Sequence, residues 1–264
     1  MKEQLLLLLR VSKPEYNRTL YENYKLYMNN QFSYKKTGLT KGQFDTKEGM
    51  VAGEGVRLLY SVDDRKTWTE LHGIQAMHKN NNAYIYCMYG IKYDPAQYDA
   101  RTNTYYHFIP WEYFKDFWQD DSLEMMVIKN TAVFIDSFKK AACSENMSYA
   151  YGKVKYDLDE RMEDVSYFDD AIKDSFESVF HKTKIPYEIQ NEIRFSVIDS
   201  DNPPFLELQL NKTNTLFFDI LPMIKGKGVM IKLTDLEFGE DNSLPVRFSS
   251  KIQYYVPEEN NGDT

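Results

Sequence analysis

Cysteine and histidine are scarce in this 264-residue chain. There are two of the first, Cys87 and Cys143, and four of the second, His72, His78, His107 and His181. Two cysteines make at most one disulfide, so no disulfide framework holds the fold, and free, buried thiols in a reducing cytoplasm are the expectation. No histidine has zinc-ligand spacing, and the two cysteines are far apart in sequence. A Cys–His nucleophile pair would have to be assembled in space, and neither cysteine has a charged neighbour to lower its pKa. Long apolar runs are also missing. Leu5 to Leu9 is closed by Arg10 and followed by no small-residue cleavage site, so it reads as a buried strand rather than a signal peptide. Nothing approaches transmembrane length. There is no Walker-type loop and no G-x-S-x-G elbow, and Lys225-Gly226-Lys227-Gly228 reads as a turn. An excess of positive charge is absent too. The net charge of −8 speaks against a broad electrostatic grip on nucleic acid, while leaving room for a local basic patch or a basic partner protein.

What the chain has in quantity is aromatic surface: 21 Tyr, 16 Phe and 3 Trp, with Tyr outnumbering Phe, as expected of half-buried rings with wet hydroxyls. Hydrophobic residues make up 42% and charged residues 27%, enough for a sizeable core. The length fits one large domain or two small ones; with no linker long enough to force a boundary, it is read as one domain, residues 1–256, with a polar tail at 257–264. Strands are predicted at Leu5–Val11, Tyr24–Met28, Val56–Val62, Ala83–Ile91, Leu123–Ile128, Tyr149–Tyr156 and after the turn in Pro186–Ile198. Further strands are predicted at Phe205–Leu210, Leu216–Ile220, Val229–Leu233 and Lys251–Val256. In Ala83–Ile91 the alternation predicts Tyr84 and Tyr86 on a concave surface, with Ile85 and Cys87 buried. Helices are predicted at Pro14–Tyr24, Pro110–Phe117, from the cap Asn130 to Ala142, and at Asp169–Phe180. Asn29 to Gly55 reads as a long loop, mobile without ligand. Strands without a βαβ rhythm make the fold class α+β, with strand-rich mixed or antiparallel sheets and few helices.

Three constellations carry chemistry. Gln190-Asn191-Glu192 stands at the mouth of the strand Ile193–Val197, where residues two apart project to one face. A carboxylate there stabilises a developing cation while its partner orients a second reactant; the alternative is a solvated strand edge with Glu192 paired to Arg194 or Lys184. Arg10 closes an apolar strand, where its planar fork either grips a phosphate or carboxylate or merely caps the strand. Asp199, Asp201, Glu207 and Gln209, with Lys212, resemble a degenerate metal-nuclease site able to hold magnesium, although Asp-Asn-Pro-Pro is also good turn chemistry.

Three blocks in order are similar to a family of poorly characterised bacterial and phage proteins. They are the strand ending in Arg10 with Tyr27-Met28-Asn29 and Asp45-Thr46-Lys47-Glu48-Gly49; Ile85-Tyr86-Cys87-Met88-Tyr89; and His181-Lys182 with Tyr187-Glu188-Ile189-Gln190-Asn191-Glu192-Ile193-Arg194. The layout resembles the ADP-ribosyltransferase fold. The resemblance implies NAD as substrate, with Arg10 on the NAD phosphates or nicotinamide ribose and Tyr86 or Tyr89 lining the nicotinamide pocket. Glu192 would bond the ribose 2′-hydroxyl, and Gln190 would orient the acceptor. The Ser-Thr-Ser motif of one branch of that superfamily and the His-Tyr-Glu set of the other are both missing. The implied activity is a cytoplasmic toxin of phage-defence or toxin–antitoxin systems. It would modify RNA, DNA or protein, with an antitoxin or another defence-system protein as possible partner and no membrane. Two alternatives stand beside it: a non-catalytic protein-binding inhibitor in phage–host conflict, and a metal-dependent nuclease.

Overall fold

The computed structural model describes residues 5–31, 33, 58–61, 68–71, 82–115, 123–161, 170, 174, 176–185, 187–201, 203–212, 218–222, 226, 228–240 and 245–255. The strands are β1 (Leu5–Ser12), β2 (Lys25–Asn30), β3 (Leu58–Ser61), β4 (Trp68–Leu71), β5 (Ala83–Lys92), β6 (Tyr98–Asp99), β7 (Thr104–Ile109), β8 (Glu124–Ile128), β9 (Ser148–Lys153), β10 (Glu192–Ile198), β11 (Phe205–Gln209), β12 (Phe218–Pro222), β13 (Gly228–Phe238) and β14 (Pro245–Tyr255). The helices are α1 (Pro14–Asn23), α2 (Trp111–Lys115), α3 (Thr131–Ser144) and α4 (Leu158–Arg161). The fold is α+β and strand-rich, with antiparallel sheets and few helices. No helix among the described residues is long and apolar enough to cross a membrane. Two compact units divide the chain: Met1–Tyr24 with Met88–Ser137 and Lys212–Thr264, and Lys25–Cys87 with Phe138–Asn211. The chain passes between them four times, inside β5 and α3 among other places, so no linker or change of composition marks the boundaries.

In the first unit β1 lies between β8 and the end of β5, antiparallel to both, with Leu9 opposite Tyr89 and Val127. Both faces of β1 are covered, so Leu6, Leu7, Leu8 and Leu9 are buried alike, which is why its sequence is a continuous apolar run rather than an alternation. The β8 edge is extended by β12. A second sheet runs β14-β13-β7-β6. Leu7 and Leu9 of β1, Val127 of β8, Tyr105 and Ile109 of β7, and Ile231 and Leu233 of β13 belong to one apolar cluster. Pro14 opens α1 at its first turn, and Tyr24 closes it in the left-handed region (φ 56°), its N–H bonded back to Leu20 and Thr19. Asn130 caps α3 as predicted, its Oδ1 accepting from the Val133 N–H at 3.1 Å.

In the second unit β2 lies between β11 and the start of β5, and β10 lies between β5 and β9. Phe138 of α3 packs edge-on against Phe195 of β10, ring centroids 5.2 Å apart. The strand β5 does not present one wet face. Tyr84 and Tyr86 are buried together with Ile85, while Cys87 keeps partial exposure, so the expected concave tyrosine face is corrected. The Tyr84 hydroxyl donates to the Pro203 carbonyl, which lets a buried phenol stay satisfied. Cys143 is exposed rather than buried, and both thiols are free.

Several strand and helix expectations shift, and β4, β6 and α4 have no counterpart among them. The strand β7 was not foreseen, because Tyr105, Tyr106, His107 and Phe108 put rings on both faces and mask the period of two. β13 and β14 both run to 11 residues, longer than read from sequence. Of the helix expected at Asp169–Phe180, residues 169, 171–173 and 175 lie outside the described residues, Asp170 is helical, and the end is a 3-10 turn over Glu177–Val179. Asn29 and Asn30, read as the start of a loop, belong to β2. Nearly all of that loop, with its expected mobility, and the 257–264 tail lie outside the described residues.

Candidate functional site

The site is built where the segment 180–182 lies beside the chain that follows β9. Lys155 donates its N–H to Phe180 O at 2.7 Å, Lys182 returns one to Lys155 O at 2.9 Å, and Leu158 donates to Lys182 O at 3.1 Å. Residue 182 is thereby fixed next to β10, whose first residue accepts from the Val154 N–H at 2.9 Å. A 3-10 turn over Tyr187–Gln190 then leads into Asn191, whose left-handed backbone (φ 39°) suits asparagine. That turn brings Gln190 and Glu192 onto one cation: Lys182 Nζ donates to Gln190 Oε1 at 2.8 Å and to Glu192 Oε2 at 3.3 Å. Arg194, two residues along β10 and so on the same face, donates from Nε to Glu192 Oε1 at 2.6 Å and from Nη1 to the Val179 carbonyl. The Lys182 ammonium also stands 4.4 Å from the centroid of the Tyr187 ring. Tyr156 Oη accepts from the Glu192 N–H at 3.0 Å.

All four charged or amide side chains are buried: Lys182 4% exposed, Gln190 6%, Glu192 5% and Arg194 1%. Burial works against the Glu192 charge, but Arg194 and then Lys182 outweigh it. With hydrogen bonds from Arg194 and Cys87, they hold the carboxyl at a pKa of about 2. The Cys87 thiol is pushed well up, by burial first and then by the Glu192 charge. Burial, followed by the same charge, raises the Tyr156 phenol. The cluster therefore holds a carboxylate that is ionised at neutral pH between two cations, with a thiol and a phenol kept protonated beside it.

His181 faces a second group. It is 1% exposed, with Nδ1 at 2.5 Å from Asp157 Oδ1 and Nε2 at 2.9 Å from Glu177 Oε1. Arg161 Nη2 reaches the same Glu177 oxygen at 3.3 Å and Asp170 at 3.2 Å. Reading the sequence missed this group and the roles of Lys182 and Arg194. The acid at i−4 from His181 was the one local signal; Asp157 lies 24 residues away and is brought in by the Lys155–His181 bridge.

Of the residues singled out from sequence, Gln190 and Glu192 are brought together. Glu192 is neither solvated nor on an edge, and its partners are Arg194 and Lys182; Lys184 instead stands 3.9 Å from Glu188. Tyr86 is buried in the second unit. Arg10 and Tyr89 belong to the first. Arg10 is half-buried opposite Met126, and the Tyr89 hydroxyl lies 3.0 Å from His107 Nε2, its ring against Tyr113. The nuclease set is dispersed: Glu207 pairs with Lys25 at 3.0 Å, Asp199 Oδ1 accepts from the Asp201 N–H, and Gln209 donates to Leu210 O. No group of three or more metal-ligating side chains occurs among the described residues. Comparison with protein-family models, curated proteins and solved structures finds no match.

Proposed function

We propose that the chain is an NAD-dependent ADP-ribosyltransferase-like protein that modifies a macromolecule, acting as a cytoplasmic toxin in phage defence or a toxin–antitoxin system. The observation that supports this reading is a carboxylate held at a pKa of about 2 beside Gln190, both anchored on Lys182. NAD supplies the ADP-ribosyl group and loses nicotinamide as the C1′–N bond breaks and the acceptor's nucleophile bonds to C1′. Positive charge builds on the ribose in that step, as in glycoside cleavage. A carboxylate stabilises such charge only through an oxygen that faces the ribose, so this reading requires Glu192, ionised already, to give up one of its two cation contacts to the bound NAD. In this reading Gln190, whose Oε1 is held by Lys182, orients the acceptor through its amide nitrogen, and the acceptor's proton passes to solvent. Nothing in this chemistry requires a general base of shifted pKa, in keeping with the scarcity of histidine. The test is release of nicotinamide and transfer of label from isotopically labelled NAD in lysate. Gln190→Ala, which keeps the ion cluster, is expected to lower transfer about tenfold while the thermal melt holds. A folded wild-type protein that neither releases nicotinamide nor transfers label overturns the reading.

A second reading, a non-catalytic interaction protein, is favoured by one observation: both Glu192 oxygens are already engaged and the side chain is 5% exposed. In that reading the cluster only holds the second unit in shape. Tight binding of a partner protein without nicotinamide release distinguishes it.

A further inference from the structure

The outer face of the β14-β13-β7-β6 sheet departs from the usual rule for a wet sheet surface. On β7, Tyr105 and Ile109 point into the core while Tyr106 and Phe108 are 41% and 42% exposed. Register places Tyr106 beside Lys232 and Phe108 beside Met230 on β13, and Lys232 beside Lys251 on β14. Ser249 and Arg247 continue the exposed row of β14 and Thr234 that of β13, while on β7 the row ends at Tyr106, since Thr104 is buried. The face is thus ordered by strand: rings on β7, a lysine and a methionine on β13, cations on β14.

Two details fix the rings for use from outside. Lys232 Nζ sits 5.6 Å from the Tyr106 centroid. A side chain on Gly228 would place its Cβ 2.7 Å from Phe108 Cε2 and Cζ, so the ring leans along the sheet across a glycine. The acids nearby are engaged. Asp99, at the corner opposite Thr104, accepts from the Arg101 N–H at 2.9 Å and from Thr102 Oγ1 at 3.0 Å, and Glu237 stands 4.0 Å from Arg247. On a chain of net charge −8, this face sets Lys232 beside Lys251 next to two exposed aromatic rings, while Asp235 at the far end of β13 accepts from Thr234 Oγ1 at 3.0 Å.

We infer that this sheet face binds single-stranded nucleic acid, with bases stacking on Tyr106 and Phe108 and phosphates meeting Lys232 and Lys251. The chemistry matches on both counts. Rings two residues apart on a strand stand roughly 7 Å apart, and the β14 cations lie two strand spacings away, about 10 Å. An unpaired strand exposes π-faces and a phosphate line together, whereas a duplex hides the former. An acidic peptide would satisfy the lysines and leave the rings without a use. The inference does not rest on the transferase reading, since this binding needs neither NAD nor Glu192.

The test is fluorescence anisotropy with the full chain and a labelled 12-nucleotide oligouridylate, across a series of salt concentrations. Binding that weakens with salt is expected, with the duplex of the same length bound more weakly. Tyr106→Leu with Phe108→Leu keeps apolar volume over Gly228 but removes the π-faces, and is expected to weaken binding about tenfold or more. Lys232→Gln with Lys251→Gln is expected to flatten the salt slope by roughly 1.4, two single-strand phosphate contacts. No binding by the wild-type chain at low salt overturns the inference. So does equal binding by the leucine variant. Loss of binding accompanied by dissociation of a dimer in sedimentation also overturns it, and assigns the face to a second copy of the chain.

Discussion

The two units solve the same problem, filling an interior between strands, with different materials. The first is filled by aliphatic and aromatic side chains, with leucines from β1 set against valine, isoleucine and leucine from β13. The second also has apolar contacts, such as Phe138 on Phe195, but it buries Lys182, Gln190, Glu192, Arg194 and His181 as well. Apolar packing tolerates loss of a part in proportion to the volume lost. A buried ion cluster does not: removing one member leaves the others charged and desolvated. The second unit therefore carries a polar interior that is costly to keep and brittle to alter, and such interiors concentrate at working sites.

The largest expected effect breaks that contrast directly. On the sequence alone Glu192→Gln is expected to spare the fold, because the change is isosteric. Its placement reverses that expectation. The substitution leaves Lys182 and Arg194 without their shared carboxylate, and a loss of about 3–5 kcal/mol by urea denaturation is expected. Replacing all three with apolar residues of similar size (Lys182→Met, Glu192→Leu, Arg194→Met) is expected to restore stability to within about 1 kcal/mol or raise it, while abolishing label transfer from NAD. In the first unit, Ile231→Val removes one methylene and is expected to cost about 0.5–1.5 kcal/mol. A Glu192→Gln protein as stable as wild type would show that the cluster is not under this electrostatic constraint.

Acid separates the units next. The Glu192 carboxyl titrates at about 2 in the folded chain against an ordinary 4.5. Its contribution is therefore complete above about pH 4.5 and is lost as pH falls towards 2, on the order of 3 kcal/mol in all. Alkali acts on both units. Tyr105 in the first and Tyr156 in the second have raised pKa values with burial as the main cause, so stability is present below pH 10 and lost above it. Urea midpoints at pH 7, 5 and 3 check the acid limb. The Glu192→Gln protein is expected to lack the part of the drop that belongs to this carboxyl.

The contrast also explains what could be read from the chain in advance. β1, β5, β8, α1 and α3 announce themselves through apolar runs, periods and caps, because burial acts locally on them. The pair Gln190 and Glu192 was legible as a pair. Its burial was not, because that depends on Lys182, which a backbone bridge between Lys155 and His181 sets in place. The same holds for the His181 group, whose acids come from three separate segments. β7 stayed hidden for another reason: exposed rings on one face imitate buried rings on the other. That ambiguity is also what sets the outer sheet face apart from an ordinary wet surface.

A smaller effect sharpens the picture of the first unit. Gly228→Ala would set a Cβ 2.7 Å from two Phe108 ring atoms and 2.9 Å from the Ile109 carbonyl oxygen. The ring can swing away; the carbonyl, held in the β7–β13 ladder, cannot move freely. A loss of about 1–3 kcal/mol is expected, and Phe108→Ala in the same chain is expected to recover only part of it. Full recovery in the double-mutant cycle would mean that the ring alone sets the requirement for glycine.

The smallest effect lies at the edge of the ion cluster. Cys87 hydrogen-bonds Glu192 through a thiol, a weak donor to a strong acceptor that two cations already satisfy. Cys87→Ala is expected to cost about 1 kcal/mol or less, far below Glu192→Gln, although the two residues touch. The thiol should also be slow to react. Burial and the neighbouring carboxylate both raise its pKa, so little thiolate forms at pH 8, whereas Cys143 is exposed on α3. One thiol per native chain is expected to label quickly with iodoacetamide and both in urea, with peptide mapping placing the fast adduct on Cys143. Cys87 is partly exposed as a residue, so its fast labelling in the native chain together with loss of the acid-labile stability assigned to Glu192 would mean that solvent reaches past the thiol to Glu192. That would move the cluster from a sealed interior to a cleft and favour the catalytic reading over the binding one.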